Sequence, residues 1–462
     1  MNRFVSADTI VALATAPLAA GVAVVRLSGP QALAAAGAVC PALGRDAKPR
    51  QMVYGPFVAS DGEAIDHGLA VYFKAPNSFT GEDVVELHGH GGRAVVQATL
   101  EALLAQHGVR AAEAGEFSRR AFLNGKMDLT AAEGLADLIA AETDAQRKQA
   151  LRQLDGELGT VFEAWRTRLL HLVAHVEAAI DFPDEELDVL EAAGLKNGLD
   201  ALVADMQSAL SNQMGQRVRD GFQVVIVGVP NAGKSTLTNL LTGKETAIVS
   251  PIAGTTRDVV EAHLTLGGYP VILADTAGLR ETSDSIEAEG VIRARKRVDA
   301  ADLVIAVTPA PDWPSVDADV RASLKPDATV VVVSKSDCFH HDLPMAFEDK
   351  GHAYPVLGLN LTDPTSLDAL LPALTRVIEG TYGSTQSAAR LTRDRHRSAV
   401  QKAVEHMQRA LTLYAAPNPA YSLSDLLAQD LRDAAAALGT VTGRTDTEAV
   451  LDVVFSTFCI GK

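Results

Sequence analysis

Residues 222–243, FQVVIVGVPNAGKSTLTNLLTG, decide the fold of the central part of the chain. The stretch begins with a short apolar run rich in valine and isoleucine, which is typical of a buried strand. Residues 228–235, GVPNAGKS, match the pattern G-x-x-x-x-G-K-[ST], and the TLTNLLTG that follows has the composition of a helix. A strand, a glycine-containing loop and a helix in this order predict a phosphate-binding loop.

Each part of this loop has a chemical task in holding a nucleotide. The backbone N–H groups of a tight loop can surround phosphate oxygens, Lys234 can neutralise the β- and γ-phosphates, and Ser235 can ligate Mg²⁺. The alternative interpretation is an ordinary glycine-rich turn between a strand and a helix. We favour the phosphate-binding loop because its three elements follow one another in the required order.

Two segments downstream carry the remaining groups of a nucleotide switch. The run YPVILA ends at residues 275–278, DTAG, where Asp275 can reach the Mg²⁺ shell through water and the Gly278 N–H can donate to a γ-phosphate. The segment 252–258, IAGTTRD, lies between the loop and DTAG. Its Thr256 can complete the Mg²⁺ coordination only while the γ-phosphate is present, so we expect this segment to change with the bound nucleotide.

The sequence around this loop predicts the fold class. Four apolar runs, FQVVIVG, YPVILAD, ADLVIAV and ATVVVVS, alternate with helix-like stretches, which predicts a parallel sheet with helices on both faces. Up to residue 122, short apolar runs mix with Gly, Pro and Asn turns, which is typical of an α+β domain. From Asp128 to Pro183 the apolar residues have helical spacing, and a capping box at Thr130 and Glu133 marks the first helix.

Helical composition returns after residue 382, so the sheet domain is predicted to be inserted into a helical domain. The protein is therefore expected to be a multidomain combination of α/β and all-α parts. The predicted domains are an N-terminal α+β domain (1–122), a first helical part (123–218), a Ras-like P-loop sheet domain (219–382) and a second helical part (383–462).

The composition excludes several classes of protein. The 462 residues are 47% hydrophobic and 21% charged, which excludes a largely disordered chain, and the net charge of −17 disfavours nonspecific coating of nucleic acid. Three scattered cysteines indicate neither a disulfide framework nor a cysteine metal site. We find no export signal and no membrane-spanning run, and therefore expect a cytoplasmic protein without a membrane partner.

The motifs resemble a known family. GVPNAGKS, IAGTTRD and DTAG in this order look like a translation-factor-type GTPase of the TrmE-Era-EngA-YihA-Septin group, and IAGTTRD is similar to the tRNA-modification GTPase family MnmE (TrmE). The ending FSTFCIGK, and the segments DTIVALAT, NSFTGEDVVELHGHGG, GEFSRRAFLNGKMDL and IDFPDEE, also resemble that family. The resemblance covers nearly the whole chain.

The resemblance implies a GTPase that uses Mg²⁺ and K⁺ instead of an external arginine finger. The implied GTP contacts are Asn231, Ala232, Gly233, Lys234, Ser235, Thr236, Ser250, Thr255, Thr256, Asp275, Thr276, Ala277, Gly278, Lys335 and Asp337. The implied Mg²⁺ ligands are Ser235 and Thr256, and the implied K⁺ ligands are Asn231, Ser250, Ile252 and Thr255. Lys234 and Glu287 are implied to be catalytic, Glu287 by aligning the attacking water, although Glu287 and Asp284 also fit a helix cap.

The guanine-binding motif N-K-x-D of the family is altered in this chain. Ser334-Lys335-Ser336-Asp337 follows the run TVVVV, so Lys335 and Asp337 match and Ser334 replaces the asparagine. A serine lacks the paired donor and acceptor of an amide, which predicts weakened guanine affinity or a repositioned base clamp. The Ser-Ala loop behind the base is replaced by YPVLGLN.

The resemblance also implies a folate site and protein partners. Arg26, Glu86, Lys126 and Lys462 match positions that bind a tetrahydrofolate derivative, 5-formyl- or methylene-tetrahydrofolate, with basic groups for the glutamate carboxylates and a carboxylate for the pterin edge. The implied assembly is a homodimer through the N-terminal domains, joined to the FAD-containing partner MnmG as a heterotetramer. The implied substrate is tRNA.

Three further features each allow two interpretations. Cys459 is either a nucleophile or a buried structural thiol. His88 and His90 form either a metal pair or a packed turn, and we favour the turn. The basic run 390–402, RLTRDRHRSAVQK, is either a tRNA-phosphate patch or a solvated helix face.

The hypothesis that accounts for most motifs is a GTPase that adds a carboxymethylaminomethyl or aminomethyl group at C5 of the wobble uridine of tRNA. One alternative is a regulatory GTPase that binds RNA or ribosomes without modification chemistry. A second alternative is a folate-dependent methyltransferase with a vestigial GTPase domain.

Overall fold

The computed structural model describes residues 8–44, 46–181, 194–244, 261–274, 295–338, 342–382, 391–415, 425–445, 448–456, 458 and 461. The chain forms two compact units. The first comprises residues 1–136, 153–166 and 436–462, and the second comprises residues 137–152 and 167–435.

The first unit contains a six-stranded mixed sheet. Its strands are β1 (Thr9–Leu13), β2 (Ala23–Ser28), β3 (Met52–Val58), β4 (Ala64–Phe73), β5 (Val84–Gly89) and β6 (Val109–Ala111). The spatial order is β3-β4-β5-β2-β1-β6, and β1 and β6 are the parallel pair. Val25 and Leu27 on β2 belong to one hydrophobic core cluster, whereas Ile10 and Ala12 on β1 belong to another that includes Phe117, so each face of the sheet carries a core cluster.

The second unit contains a seven-stranded sheet with the order β12-β13-β11-β10-β7-β9-β8. Its strands are β7 (Phe222–Gly228), β8 (Glu261–Leu266), β9 (Tyr269–Ala274), β10 (Leu303–Pro309), β11 (Thr329–Ser334), β12 (Ala346–Asp349) and β13 (His352–Leu359). The five inner strands are parallel, and β8 and β12 are antiparallel strands at the two edges. The predicted fold class is confirmed, with these antiparallel edges as an addition.

The inner strand β11 shows why the apolar runs of this unit are continuous. Val330 and Val332 belong to one hydrophobic core cluster, whereas Val331 and Val333 belong to another. Successive side chains of a strand point to opposite faces, so both faces of this sheet are covered. A strand buried on both sides needs apolar residues at every position.

The helices are α1 (Ala32–Val39), α2 (Arg93–Leu104), α3 (Glu116–Leu123), α4 (Leu129–Ala140), α5 (Asp144–Leu154), α6 (Glu157–Asp181), α7 (Leu195–Ser211), α8 (Met214–Asp220), α9 (Lys234–Lys244), α10 (Ala318–Ala322), α11 (Leu367–Tyr382), α12 (Asp394–Tyr414), α13 (Asp425–Thr442) and α14 (Glu448–Ser456). Residues 295–300 are also helical. Among the helices of the described residues, none has both the length and the apolar character needed to cross a bilayer.

The start of α4 differs from the sequence prediction. Asp128 caps this helix, because its Oδ1 accepts hydrogen bonds from the Ala131 N–H at 2.8 Å and from the Thr130 hydroxyl at 2.7 Å. Thr130 is therefore inside the first turn, and the predicted capping box of Thr130 and Glu133 is wrong. An aspartate is as good an N-cap as a threonine, and here it stands two residues earlier.

A capping box does occur at the next helix. Thr143 Oγ1 accepts from the Gln146 N–H at 3.3 Å, and Gln146 Oε1 accepts from the Thr143 N–H at 3.0 Å. This reciprocal pair satisfies two amides that the helix itself leaves free. It defines where α5 begins.

Candidate functional site

The phosphate-binding loop joins β7 to α9, as the sequence predicted. Two residues of the loop have left-handed backbone conformations, Asn231 at φ 61° and Gly233 at φ 97°. A Cβ atom at Gly233 would lie 2.8 Å from Leu361 Cδ1, the end of a flexible side chain, so it is the positive φ that favours glycine at this position. These turns bring the chain back over the end of β7 before α9 begins.

The Lys234 ammonium group lies over this loop. Its Nζ donates hydrogen bonds to the carbonyl oxygens of Gly228 and Val229, both at 2.8 Å. Burial lowers the pKa of Lys234 from its ordinary value of 10.5. Lys234 is thus a cation held at the start of a helix, where phosphate oxygens can replace the two carbonyl partners.

The other loop residues differ in exposure according to their position. Asn231, Ser235 and Thr236 are exposed, whereas Ala232 is buried. The exposed hydroxyl of Ser235, in the first turn of α9, fits a Mg²⁺ ligand, because a hard cation prefers oxygen ligands next to phosphate. The amide oxygen of Asn231 fits a K⁺ ligand on the same chemical ground.

The altered base motif lies beside the phosphate loop. Ser334 is the last residue of β11, and its Oγ lies 2.6 Å from the carbonyl oxygen of Ala232. Lys335 adopts a left-handed conformation at φ 56°, and Asp337 follows in a 3₁₀ turn with its side chain exposed. The structure therefore brings Lys335 and Asp337 to the edge of the sheet where the phosphate loop lies.

Several predicted site residues lie outside the described residues. They are Ser250, Ile252, Thr255, Thr256, Asp275, Thr276, Ala277, Gly278, Glu287, Cys459 and Lys462. Their predicted roles stay predictions. The β8–β9 hairpin, which is described, joins the segment that carries Thr256 to the segment that begins with Asp275.

The first unit holds the predicted folate residues. Arg26 on β2 and Glu86 on β5 are cross-strand partners, and the Arg26 Nη2 and Nε atoms each lie 2.9 Å from Glu86 Oε1. The Arg26 guanidinium also lies over the Phe79 ring, 5.6 Å from its centroid. This partly buried ion pair lies beside an aromatic ring, which offers a flat surface and polar groups next to each other.

Lys126 reaches the same loop from another direction. Its Nζ donates to the carbonyl oxygen of Pro76 at 3.0 Å, and Pro76 and Phe79 belong to one connection between β4 and β5. Among the residues that the structure describes, no carboxylate lies within ion-pair distance of this amine, so its charge can serve an anionic ligand. Arg26, Glu86 and Lys126 therefore surround a single segment of chain.

The C-terminal tail runs past this sheet. Gly461 is buried, and a Cβ atom at this position would lie 2.1 Å from the carbonyl oxygen of Leu13 at the end of β1. Gly461 also has φ 99°, which favours glycine. Leu13 pairs with Val25, the residue before Arg26, so Gly461 lies against β1, the neighbour of the strand that carries Arg26.

Comparisons with known proteins show which family the chain resembles. A family model described as the MnmE helical domain matches residues 129–459, and one described as the GTP-binding protein TrmE N-terminus matches residues 9–126. The tRNA modification GTPase MnmE of Rhodospirillum rubrum is 49% identical, over 98% of this chain and 99% of that protein. The proteins of the same description from Parvibaculum lavamentivorans and Paramagnetospirillum magneticum are 48% and 47% identical, each over 98% of this chain and 100% of the relative.

This chain belongs to the MnmE family of tRNA modification GTPases.

His88 and His90 of this MnmE-family chain each contact a different carboxylate. His88 Nε2 lies 3.2 Å from Glu86 Oε2, and His90 Nδ1 lies 2.8 Å from Asp66 Oδ1. Burial alone would raise the pKa of Asp66, but the backbone and ring N–H groups of His90 hold it below its ordinary value. The two imidazoles thus bind separate carboxylates, in agreement with the preferred packing interpretation.

Two arginines of the basic run, Arg393 and Arg397, serve the fold of this MnmE-family chain. The Arg397 guanidinium donates to the carbonyl oxygens of Leu210 and Asn212 at the end of α7, and Arg393 Nη2 lies 2.7 Å from Asp137 Oδ1. A cation at a helix C-terminus is favourable, because the last carbonyl groups carry partial negative charge. Both side chains are therefore occupied in intramolecular contacts, which supports neither interpretation offered from the sequence.

Sequence analysis of this MnmE-family chain missed two functional details. It identified Ala232 and the exchange at Ser334 but not the hydrogen bond that joins them across 102 positions. It identified Lys462 but not the steric demand at Gly461. The glycine next to the end of the chain was the available signal for the second detail.

Proposed function

We propose that this chain hydrolyses GTP and couples the reaction to modification of tRNA. The observation that carries the proposal is the geometry of residues 228–235, with Lys234 held over the loop at the start of α9. Phosphate oxygens would take the Lys234 hydrogen bonds now made to Gly228 and Val229. Asp337 would accept the hydrogen bonds of the guanine edge, and Lys335 would lie beside the base.

The residues expected to assist hydrolysis are those of the switch segments. Bound Mg²⁺ and K⁺ would supply positive charge next to the phosphates, with Ser235 and Thr256 ligating Mg²⁺, and Asn231, Ser250, Ile252 and Thr255 ligating K⁺. Glu287 would orient the attacking water, and the N–H of Gly278 would bind the γ-phosphate. Asp275, Thr276 and Ala277 complete the proposed GTP contacts.

The proposed product is a tRNA with an aminomethyl or carboxymethylaminomethyl group at C5 of the wobble uridine. A tetrahydrofolate derivative would supply the one-carbon unit at Arg26, Glu86, Lys126 and Lys462. The proposed assembly is a homodimer through the N-terminal domain (1–122) with an FAD-containing partner. Residues 219–382 would form the GTPase domain inserted into the helical domain, which consists of residues 123–218 and 383–462.

The test begins with GTP turnover by the purified chain in K⁺ and in Na⁺. Lys234→Ala should reduce turnover by about a hundredfold or more, since it removes a preorganised cation from the developing phosphate charge. Lys196→Ala is the matched control, because Lys196 is exposed on α7 and bonds to Asp200 one turn along its own helix. Equal turnover by both variants would contradict the proposal.

The second part of the test is a nucleoside digest of tRNA. Cells that carry only the Lys234→Ala variant should lack the modified wobble uridine, whereas cells with Lys196→Ala should retain it. If tRNA modification is normal in both strains although the Lys234→Ala variant has lost its GTPase activity, the regulatory GTPase would be favoured instead. Absence of turnover in either cation by the unaltered chain would favour the methyltransferase.

A further inference from the structure

The hydroxyl of Ser334 already donates its one proton in a hydrogen bond. Ser334 is fully buried, and its Oγ lies 2.6 Å from the carbonyl oxygen of Ala232, which is also fully buried. A carbonyl oxygen can only accept, so the single hydroxyl proton of the serine is donated to Ala232. No proton of this side chain is left for another acceptor.

Because the Ser334 hydroxyl has no further proton to donate, it cannot contact a purine base as a donor. The N7 and O6 atoms of guanine are acceptors, so a residue that contacts them must donate. Ser334 keeps two lone pairs and no free proton, and it is shielded from solvent at the end of β11. It therefore offers nothing that a guanine N7 or O6 atom can bind.

The same bond acts directly on the phosphate loop. Ala232 lies between Asn231 and Gly233, the two loop residues with left-handed conformations. Ser334 is held in turn by both neighbouring strands, as the partner of Pro309 on β10 and of Leu359 on β13. The hydroxyl thus connects the loop to the rigid centre of the sheet.

We propose that Ser334 is a positioning residue for the triphosphate and that it takes no part in reading the base. The inference rests on the proposed GTP binding. Of residues 334–337, SKSD, it assigns recognition of the guanine edge to Asp337. Removing the hydroxyl should loosen the loop and weaken the binding of every nucleotide by the same factor. Changing Asp337 should alter the choice of base.

The experiment compares GDP with 7-deaza-GDP, in which a C–H group replaces N7, on the full-length chain. Ser334→Ala is expected to raise both dissociation constants by the same factor, about fivefold for one lost hydrogen bond. Ser334→Thr retains the hydroxyl and is expected to stay within about twofold of the unaltered chain. Thermal unfolding of each variant confirms that the fold is retained.

Asp337→Asn serves as the control for base reading, with IDP as the probe because it lacks the 2-amino group. This variant is expected to lose the preference for GDP over IDP, which Ser334→Ala should retain. The inference is overturned if Ser334→Ala changes the ratio of the GDP and 7-deaza-GDP constants, or if it changes neither constant. Failure of the unaltered chain to bind GDP would instead refute the proposed function.

Discussion

The backbone N–H of Ala145 donates a hydrogen bond to the carbonyl oxygen of Gly268, with 3.2 Å between the two atoms. Ala145 lies in the first turn of α5, where a helix leaves its amides without internal partners. Gly268 lies in the turn between β8 and β9, the hairpin that joins the two predicted switch segments. The start of α5 and the tip of this hairpin therefore complete each other's hydrogen bonding within the second unit.

Removing the cap of α5 should destabilise the second unit. Gln146 Oε1 accepts from the Thr143 N–H, and Gln146 Nε2 donates to the Arg219 carbonyl oxygen at 3.2 Å. Gln146→Ala should therefore cost about 1–3 kcal/mol in the free energy of unfolding. Gln401→Ala is the control in the same unit, since the exposed Gln401 bonds to Glu405 one turn along its own helix, and it should stay within about 0.5 kcal/mol. Denaturant unfolding measures both, and equal midpoints would refute the assigned role.

Acid should destabilise the first unit through Glu116. Burial alone would raise the pKa of Glu116, but hydrogen bonds from Arg110, the Glu113 N–H and Arg120 hold it below the ordinary 4.5. A carboxyl with a lowered pKa stabilises the fold at pH values above 4.5, and this contribution is lost as the pH falls through the lowered pKa.

The measurement is the melting temperature as a function of pH. Glu116→Gln should be less stable than the unaltered chain at neutral pH, and the difference should shrink as the pH falls below 4.5. Glu101→Gln, at an exposed position of α2, is the control and should follow the unaltered chain. A constant difference across the acid range would contradict the role given to Glu116.

A methyl group at Gly461 should displace the C-terminal tail. The added Cβ would lie 2.1 Å from the Leu13 carbonyl oxygen, and backbone oxygen atoms cannot move aside as a flexible side chain would. Gly461→Ala should therefore weaken binding of 5-formyl-tetrahydrofolate, measured by calorimetry, and leave GTP turnover unchanged. Gly62→Ala is matched for left-handed conformation at φ 86° but has nothing within 4 Å of the added atom, and should bind normally. Normal binding by Gly461→Ala would remove the tail from the folate site.

The Arg26–Glu86 pair should be needed for the folate and not for the nucleotide. Arg26→Met removes the charge and leaves the half-buried Glu86 carboxylate without this partner, so folate affinity should fall about tenfold or more. Arg93→Met, an exposed position at the start of α2, controls for the loss of one positive charge. Calorimetry with 5-formyl-tetrahydrofolate and a parallel GTPase assay separate the two sites. Equal affinity in both variants would argue against a folate contact at Arg26.

The sequence was sufficient to predict the parts of the fold that depend on local pattern. The runs FQVVIVG and ATVVVVS became β7 and β11, because a strand covered on both faces needs apolar side chains at consecutive positions. The strand β12 had no such signal. Its four residues, AFED, include one buried side chain, Phe347, and pairing with β13 determines its conformation.

The sequence predicted which residues belong to the site, but it did not predict the contacts between residues that are far apart in the chain. Lys234, Lys335 and Asp337 were identified from motifs, since each motif is a short run with fixed spacing. The Ser334–Ala232 bond and the contact of Gly461 with Leu13 join residues far apart in the chain. Such contacts follow from strand order and helix placement, which no short pattern encodes.

The contacts of Lys234 also affect how the empty loop reacts with chemical reagents. An amine with a lowered pKa is a stronger nucleophile near neutrality, because a larger fraction of it is uncharged. Lys234 is also partly accessible, so acylating reagents should label it when no nucleotide is bound. A bound nucleotide would protect the same amine, which makes mass-spectrometric footprinting a direct gauge of loop occupancy inside a larger assembly.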